Sequence, residues 1–519
     1  MKTILLVLSL IQSVPVAHND QGQTGANRLE TILTPSNVSA GKFGLLGSWT
    51  LDGFSFSQPL VGSFSGTNYV ITTTLANTVA AWNADRPGTS ALWSVNFGTG
   101  RGGWANNTSS AQQLYGSSFG IIGTPVIDFA GGFVYVVSST TTPNYLLHKL
   151  NLSDGSAAAT AVTISASVPG TGSSGDPTSG PNLLFSASMT TQRCALILSP
   201  DASKVYVSFG GGSAGFIPPP WHGWVMGYNV SNLTQFAAYC SSPNGNGASI
   251  WLSGGAPAMD ASGNLYVITG SEGDWDGVTE FSDSMLKLSP ALVLLDWFTP
   301  SNHVLLDAND FDFGAGRVML IPGTTLAVGS GKDFNVYVVD TACMGHLQGS
   351  SGCTLQTFKT NAVATITKFS GAYGGVVANG ILFLPTTAGS LYQFSCPSGI
   401  CNTTPTTTQT NTYGFPGPAQ MSLSSNGTSN SILWVVTAAS SSFTSLAAGT
   451  LRALDPSNGL AELWNSGSTV GNMAKFVSPT VVNGRIFLPN NNNQLLMFGL
   501  IPATQIRGQT TLRGRTVLR

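Results

Sequence analysis

Charged side chains are scarce in this sequence. Asp, Glu, Lys and Arg make up 8% of the 519 residues, against about 25% in ordinary globular proteins, and the net charge is −2. Such a chain has no charge excess that would attract a nucleic acid or an anionic membrane. Hydrophobic residues still reach 42%, so the low charge does not indicate disorder. We therefore expect a large folded core and no nucleic-acid partner.

Several sequence patterns that point to known chemistry are also missing. No long stretch has the periodicity of an amphipathic helix, and a Gly-x-Ser-x-Gly nucleophile needs a strand-to-helix elbow. The sequence has no Cys-x-x-Cys pair and no His-x-x-x-His spacing. Beyond the N-terminus, no run of about 20 apolar residues occurs. Hydrolase and zinc-enzyme functions therefore lack support, and we expect no membrane insertion.

The first residues are typical of a secretory signal peptide. Lys2 supplies a positive charge, and Ile4 to Val16 form a mainly apolar stretch that is shorter than the roughly 20 residues of a membrane-spanning helix. Ala17 and Ala26 both offer a small residue for cleavage. A buried N-terminal strand is the alternative for this stretch. The sequence thus predicts a secreted, extracellular protein.

Cysteines and glycosylation sequons agree with export. The six cysteines form an even set, and their spacing predicts two local disulfides, Cys343–Cys353 and Cys396–Cys401. Elimination then leaves Cys194–Cys240 as the third disulfide. Eight Asn-X-Ser/Thr sequons predict a glycosylated surface, which would solvate a chain that has few charges. The sequons are at Asn37, Asn106, Asn107, Asn151, Asn229, Asn232, Asn402 and Asn426.

A repeated pair of strands is the most informative property of the sequence. The first strand reads apolar-Tyr-Val-x-Thr/Ser, and the second ends near Asp or Asn. The first strands start at residues 69, 134, 205, 265, 326, 381, 433 and 486, a step of about 60 residues. A propeller blade needs about 40–45 residues, which leaves room for one longer loop, whereas sandwich repeats need about 100 and β-helix coils fewer. We predict an all-β, eight-bladed β-propeller in which the segment around Gly47 supplies the closing strand.

This propeller forms a single predicted domain over residues 27–500. A signal peptide at 1–17, with cleavage between 17 and 26, precedes it, and a flexible basic tail at 501–519 follows it.

Several blocks of sequence resemble a known family. Glu30-Thr-Ile-Leu-Thr-Pro-Ser-Asn-Val, His222-Gly-Trp-Val-Met-Gly-Tyr-Asn, Ile250-Trp-Leu-Ser-Gly-Gly, Asp283-Ser-Met-Leu-Lys-Leu and Gly331-Lys-Asp follow one another in the chain. In this order they resemble exported, mostly uncharacterised proteins with pyrroloquinoline-quinone (PQQ) repeats. Their better-known relatives are the quinoprotein alcohol dehydrogenases. The resemblance covers residues 27–345, and the repeat pattern alone extends it over 370–500. It implies a propeller of the quinoprotein alcohol dehydrogenase-like type.

The resemblance also implies a cofactor site. In the dehydrogenases a carboxylate takes the proton of the alcohol while hydride passes to PQQ, beside a calcium ion. Asp283 falls at the catalytic base and Lys332 at a quinone contact; a structural ion pair or a turn is the alternative for both. Ser271 and Trp275 fall in the cofactor loop, where Ser271 replaces an asparagine that binds calcium. The family's glutamate calcium ligand and its adjacent-cysteine disulfide have no counterpart here.

Three carboxylates lie close together in the same loop. Glu272, Asp274 and Asp276 occur within five residues, and carboxylate oxygens are the ligands that Ca²⁺ prefers. A solvated acidic loop is the alternative. His222 and Trp224 are expected either at the entrance of the central funnel or in the core of a blade.

Two functions are compatible with these features. The low charge, the sequons and the incomplete quinone site favour a secreted, non-catalytic binding or structural protein with a protein or glycan partner. The family resemblance, with Asp283 and Lys332, favours an oxidoreductase that uses PQQ and calcium on an alcohol or sugar. We prefer the non-catalytic binding or structural role and therefore assign no cofactor. Whether the protein is an enzyme stays open. The sequence does not indicate an oligomeric state.

Overall fold

The protein is built almost wholly from short β-strands. The computed structural model describes residues 12–102, 118–211, 220–350, 352–353, 355–360, 366–367, 370–410, 415–438 and 446–502. Within these ranges the α-helix is His303–Ala308, and short 3-10 turns occur at Leu252–Gly254, Phe313–Ala315, Pro397–Gly399 and Pro456–Asn458. No helix in this part of the chain is long and apolar enough to cross a membrane. The predicted all-β class is confirmed. The predicted sequons Asn106 and Asn107 and most of the predicted tail lie outside the described residues.

Eight sheets follow one another along the described chain, and we number them from the N-terminus. Sheet 1 contains Leu60–Phe64, Thr67–Thr73, Thr78–Asn83 and Trp93–Asn96. Sheet 2 contains Val126–Asp128, Phe133–Ser139, Tyr145–Asn151 and Val162–Thr163. Sheet 3 contains Ile197–Leu198, Lys204–Phe209, Trp224–Asn229 and Gln235–Cys240. Sheet 4 contains Ala258–Met259, Leu265–Ile268, Met285–Leu288, Leu294–Thr299 and, parallel to the last, His346–Leu347.

The remaining sheets have the same antiparallel order. Sheet 5 contains Met319–Leu320, Leu326–Ser330, Asn335–Asp340 and Leu355–Lys359. Sheet 6 contains Val376–Ala378, Ile381–Pro385, Ser390–Ser395 and Thr407–Thr410. Sheet 7 contains Phe415–Asn426, Ser429–Ala438, Gly449–Asp455, Ala461–Asn465 and, parallel to the first, Ala26–Asn27. Sheet 8 contains Thr480–Val482, Arg485–Asn490, Gln494–Leu500 and Phe43–Thr50. Two smaller sheets pair Arg101–Gly102 with Ser118–Phe119, and Ser167–Pro169 and Thr178–Ser179 with Asn182–Leu184.

The second and third strands of each sheet are the two strands of a predicted repeat. Their residues form continuous apolar runs because neighbouring sheets cover both faces of each sheet, as the fully buried run Val134–Val137 illustrates. The repeat pattern therefore located the sheets correctly. That the closed ring has eight blades stays a prediction.

The first and last sheets are in contact, so the series of sheets closes on itself. The first strand of sheet 1 contacts the first strand of sheet 8, and Phe43–Thr50 pairs antiparallel with Gln494–Leu500. Trp49, on this closing strand, lies 6.2 Å from the ring of Trp82 in sheet 1 and 6.3 Å from that of Phe487 in sheet 8. The prediction that a strand around Gly47 closes the ring is confirmed.

A segment near the N-terminus crosses the first strands of all eight sheets. We call Val14–Asn27 the axial segment. It hydrogen-bonds to the first strand of each sheet in chain order, so it makes one circuit along their inner edges. The bonded pairs are Val14 with Val61, Pro15 with Ile127, Gln21 with Leu198 and Met259, Gly22 with Leu320, Thr24 with Val377, Gly25 with Leu423, and Asn27 with Val481.

The cysteines confirm two predicted disulfides and correct the third. Cys343–Cys353 and Cys396–Cys401 are bonded, whereas Cys194 and Cys240 are buried free thiols. Cys194 precedes the first strand of sheet 3 and Cys240 ends its fourth. Three strand spacings separate these strands by about 14 Å, beyond the roughly 7 Å Cα separation that a disulfide spans. Pairing by elimination was therefore wrong.

Candidate functional site

Loops at one end of sheets 4 and 5 carry the predicted site residues. In an antiparallel four-stranded sheet, the loop between strands two and three and the link to the next sheet leave from the same end. Residues 269–284 and 331–334 are such loops in sheets 4 and 5, and residues 300–318 link the two sheets. These loops bring together a set of side chains that we call the loop-face cluster. It consists of Ser271, Glu272, Asp283, Asp310, Asp312 and Lys332.

Two aspartates hold the ammonium group of Lys332. Its Nζ donates to the main-chain oxygen of Asp310 at 2.9 Å and forms ion pairs with the carboxylates of Asp310 and Asp312. Burial disfavours the charge of a lysine, yet these carboxylates raise the pKa of Lys332 above its usual value. An ammonium group has only three protons to donate, so these three acceptors use all of them.

Asp312 is the charged centre of the cluster. Its Oδ1 accepts hydrogen bonds from the Ser271 main-chain N at 2.9 Å and from the Ser271 hydroxyl at 2.6 Å. Burial alone would raise the pKa of Asp312, but Lys332 and the bonds from Ser271 outweigh it and lower the pKa to about 2. Burial and the charge of Asp312 raise the pKa of Asp310. The Ser271 hydroxyl is thus used inside the cluster.

Asp283 interacts electrostatically with this ion pair and is fully buried, with 0% of its surface exposed. Its Oδ1 accepts from the main-chain N of Phe313 at 2.9 Å, while its Oδ2 has no hydrogen-bond partner among the described residues. Burial, followed by the negative charge of Asp312, raises the pKa of Asp283 well above its ordinary value. This environment favours the neutral acid, whereas a general base must be ionised.

Asp283→Asn tests this protonation state. A raised native pKa means that the stability contributed by Asp283 is present below its unfolded pKa of about 4 and is lost as the pH rises. Asparagine keeps the acceptor for Phe313 and tolerates the native φ of 46°. We therefore expect the variant to gain stability relative to the native protein between pH 4 and pH 7.5, as measured by denaturant unfolding. A variant that is less stable at pH 7.5 would instead indicate an ionised, charge-stabilised Asp283.

The three carboxylates of the predicted calcium loop make separate contacts. Asp276 accepts the main-chain N–H groups of Val278, Thr279 and Glu280 through Oδ1, and Asp274 packs against Gly245. Burial, together with Asp310 and Asp312, raises the pKa of Glu272, which faces the cluster. The described residues contain no group of three or more His, Cys, Asp or Glu side chains arranged to hold a metal ion. The structure therefore does not bring these carboxylates together.

Trp275 belongs to an aromatic group on the surface of sheet 4. Its Nε1 donates to Thr299 at 3.0 Å, and its ring lies 4.4 Å from that of His303 and 5.9 Å from that of Trp297. The indole of Trp275 thus contacts the fourth strand of sheet 4 and the helix that follows it.

Two loops that the sequence did not connect meet near this cluster. The guanidinium of Arg193, before sheet 3, donates to the main-chain oxygen of Phe476 at 3.1 Å and to that of Lys475 at 3.4 Å, before sheet 8. Burial, then Arg193 and Lys332, lower the pKa of Lys475 to about 8. The two loops are 282 residues or more apart in the chain, and no local motif signals their contact.

His222 forms a Ser-His-Asp set that the sequence did not reveal. Its Nε2 lies 3.0 Å from Asp176, and its Nδ1 lies 3.1 Å from the hydroxyl of Ser242. Ser242 is fully buried and donates to the main-chain oxygen of Gly247 at 3.0 Å, so it cannot meet a substrate as a nucleophile. The set ties the small sheet around Asp176 to sheet 3, and the core position expected as the alternative for Trp224 is confirmed.

Comparison with known proteins identifies the fold. No protein-family model matches the chain, and no curated protein matches it by sequence. Among solved structures it is similar to a europium-containing methanol dehydrogenase, with 12% identity, 94% of this chain and 98% of that chain covered, and a TM-score of 0.63. It is also similar to the quinohemoprotein alcohol dehydrogenase ADHIIG of Pseudomonas putida HK5, with 13% identity, coverage of 94% and 80%, and a TM-score of 0.59. The chain therefore has the β-propeller fold of the quinoprotein dehydrogenases.

Proposed function

We propose that the protein is an exported, glycosylated β-propeller that acts as a non-catalytic binding or structural protein. The observation that carries the proposal is that the polar side chains of the loop-face cluster bond to one another. Lys332 is taken by Asp310 and Asp312, and the Ser271 hydroxyl is taken by Asp312. The groups that would have to turn towards a cofactor are bonded to one another.

The arrangement does not fit a calcium–PQQ site. PQQ, when bound, supplies the hydride acceptor, and the protein must add an ionised base, a cation near the quinone oxygens and ligands for the metal. Here burial and the charge of Asp312 raise the pKa of Asp283 well above its usual value, which disfavours an ionised base, and the protons of Lys332 are used. Calcium needs about 6–8 oxygen ligands, and Glu272, Asp274 and Asp276 point to separate partners.

Features of the surface support export and glycosylation. Among the six sequons in the described residues, Asn232, Asn402 and Asn426 are exposed, which leaves them accessible to a glycosyltransferase. The two disulfides are of the kind that persists in an oxidising compartment.

Exposed apolar side chains support a binding role. Val278, Val304 and Leu305 are exposed by 54–74% and belong to the same two loops as Trp275 and His303. Apolar surface of this kind, next to exposed polar residues, is typical of sites that bind a partner. The expected partner is a protein or a glycan.

An oxidoreductase that acts on an alcohol or sugar with PQQ and calcium is the second candidate. Two observations favour it: the fold shared with the dehydrogenases, and the unpartnered Oδ2 of Asp283, an oxygen buried beside the cluster. Fold alone is weak support, because one fold carries many functions.

Reconstitution with a cofactor separates the two candidates. The purified protein is incubated with PQQ and Ca²⁺, desalted and assayed for quinone absorbance and for alcohol-dependent reduction of a dye, with an apo-quinoprotein dehydrogenase as the positive control. We expect neither signal. Retained PQQ with turnover that disappears in Asp283→Asn but persists in Asp260→Asn would overturn the proposal. Asp260 is the matched control because it stabilises a turn at the opposite end of sheet 4.

A further inference from the structure

We infer that the axial segment, Val14–Asn27, remains in the mature protein. Any removal of a leader would then take place at or before the Ser13–Val14 bond, upstream of the range 17–26 that the sequence suggests. The inference relies on the proposed export only for the existence of a leader; the contacts of the axial segment carry the rest.

Cleavage after Ala17 would create a charge in a buried, cationic place. His18, which would become the first residue, is 3% exposed, and its main-chain N donates to Gln58 at 2.9 Å. Burial, followed by the charges of Arg317 and Arg193, lowers the pKa of the His18 side chain. The same surroundings would oppose a new α-ammonium group, because a buried charge without a counter-ion is costly. The bond after Ala17 is therefore a poor place for the mature N-terminus.

Cleavage after Ala26 would remove hydrogen-bond acceptors from most of the sheets. Main-chain oxygens of the axial segment accept from six first-strand N–H groups. These belong to Val61, Ile127, Met259, Leu320, Val377 and Leu423, in sheets 1, 2, 4, 5, 6 and 7. Buried N–H groups in folded proteins are nearly always paired, so the loss of these acceptors would destabilise the inner edge of the ring. The sheets thus depend on residues that cleavage at this position would discard.

Gln23 gives the axial segment a fixed shape. Its side chain is fully buried; Nε2 donates to the main-chain oxygens of Ala17 at 3.0 Å and Asp20 at 3.1 Å, and Oε1 accepts from the main-chain N of Ala256 at 2.9 Å. One side chain therefore joins both halves of the segment to the loop before sheet 4. A leader that is cleaved off does not require a buried, fully hydrogen-bonded side chain, whereas a structural element of the mature protein does.

N-terminal peptide mapping tests retention directly. The full chain is expressed in a eukaryotic secretory host, purified and digested with trypsin. Because no Lys or Arg lies between Lys2 and Arg28, the N-terminal peptide ends at Arg28 and its mass gives the mature start. We expect a start at Val14 or upstream, Met1 included; any start after Val14, such as His18 or Asn27, would overturn the inference. Protein that stays inside the cell would contradict export, and because such a chain has not met a signal peptidase, the stability of the Gln23→Ala variant then decides whether the axial segment is structural.

Gln23→Ala tests whether the axial segment holds the ring together. We expect its melting temperature to fall by about 2–4 °C relative to the native protein. Gln235→Ala, at an exposed glutamine on the outer strand of sheet 3, is the matched control. The Gln235 side chain donates to the main-chain oxygen of Ser165 and to the hydroxyl of Tyr228, so this variant should melt below the native protein but above Gln23→Ala. If Gln23→Ala does not accumulate, Gln21→Ala removes the single bond to Leu198 and should give a smaller fall. If Gln23→Ala and Gln235→Ala have the same melting temperature, the axial segment has no structural role.

Discussion

Replacing Lys332 with alanine is expected to lower the free energy of unfolding by about 2–4 kcal/mol. The change leaves the carboxylates of Asp310 and Asp312 close together and largely buried, without the ammonium group that now pairs with both. Denaturant unfolding at pH 7 measures the loss. Because the carboxylates repel each other, the deficit should shrink as the pH falls towards 4 and Asp310 takes up a proton.

Lys359→Ala is the matched control for this substitution. Lys359 is exposed at the end of the fourth strand of sheet 5, so its replacement should change stability by no more than about 0.5 kcal/mol. If Lys332→Ala behaves like this control, the ammonium group is not part of a structural ion pair.

Arg317→Met is expected to cost about 3–5 kcal/mol of unfolding free energy. Arg317 is 1% exposed, and its guanidinium donates to the main-chain oxygens of Gln23 in the axial segment and Gly375 before sheet 6. Burial lowers the pKa of Arg317 to about 9, which leaves it charged at pH 7, and nearby Asp20 opposes this shift. Methionine fills much of the space but removes both bonds and leaves Asp20 without the compensating charge.

Arg28→Met provides the comparison for Arg317. Arg28 directly follows the axial segment but is exposed, so the same loss of a guanidinium should have little effect. Equal stability of the two variants, measured in the same denaturant series, would show that Arg317 does not link the axial segment to the sheets.

The repeat pattern was enough to locate the sheets. A blade is a local unit, and its second and third strands are neighbours in sequence, so the strand pair and its turn leave a continuous signal. The closing strand could be predicted for a related reason, since a ring of blades requires one strand from a terminus. The order of the predicted strands was therefore enough to predict most of the fold.

Contacts between distant parts of the chain left no comparable signal. Cys194 precedes the first strand of sheet 3 and Cys240 ends its fourth, so the two lie at opposite edges of the sheet, which spacing along the chain does not reveal. The axial segment left no structural signal, because Val14 to Ala17 suit the end of a leader and residues 18–27 are mostly polar, as in a loop. Its bonds to six of the sheets are main-chain hydrogen bonds, to which most residue types are equivalent, while the side chains of Gln21 and Asn27 make the bonds to sheets 3 and 8.

The candidate site could be predicted in part. The family resemblance drew attention to Ser271, Asp283 and Lys332, which the structure gathers around Asp312, while their roles towards a cofactor stay predictions. It did not indicate that Asp310 and Asp312 form ion pairs with Lys332, because those aspartates lie about 20 residues upstream in the link between sheets 4 and 5. Partner choice inside a cluster depends on side-chain geometry, and the order of residues along the chain does not encode that.

A double-mutant cycle between Lys332 and Asp312 is the most direct test of the claim that the loop-face cluster is a structural network. Free energies of unfolding are measured for the native protein, Lys332→Ala, Asp312→Asn and the double variant. The structure predicts a coupling energy of about 1–3 kcal/mol between the two side chains, so that the double variant loses less than the two single changes combined. Strictly additive losses would contradict the account and would leave Lys332 available for a ligand.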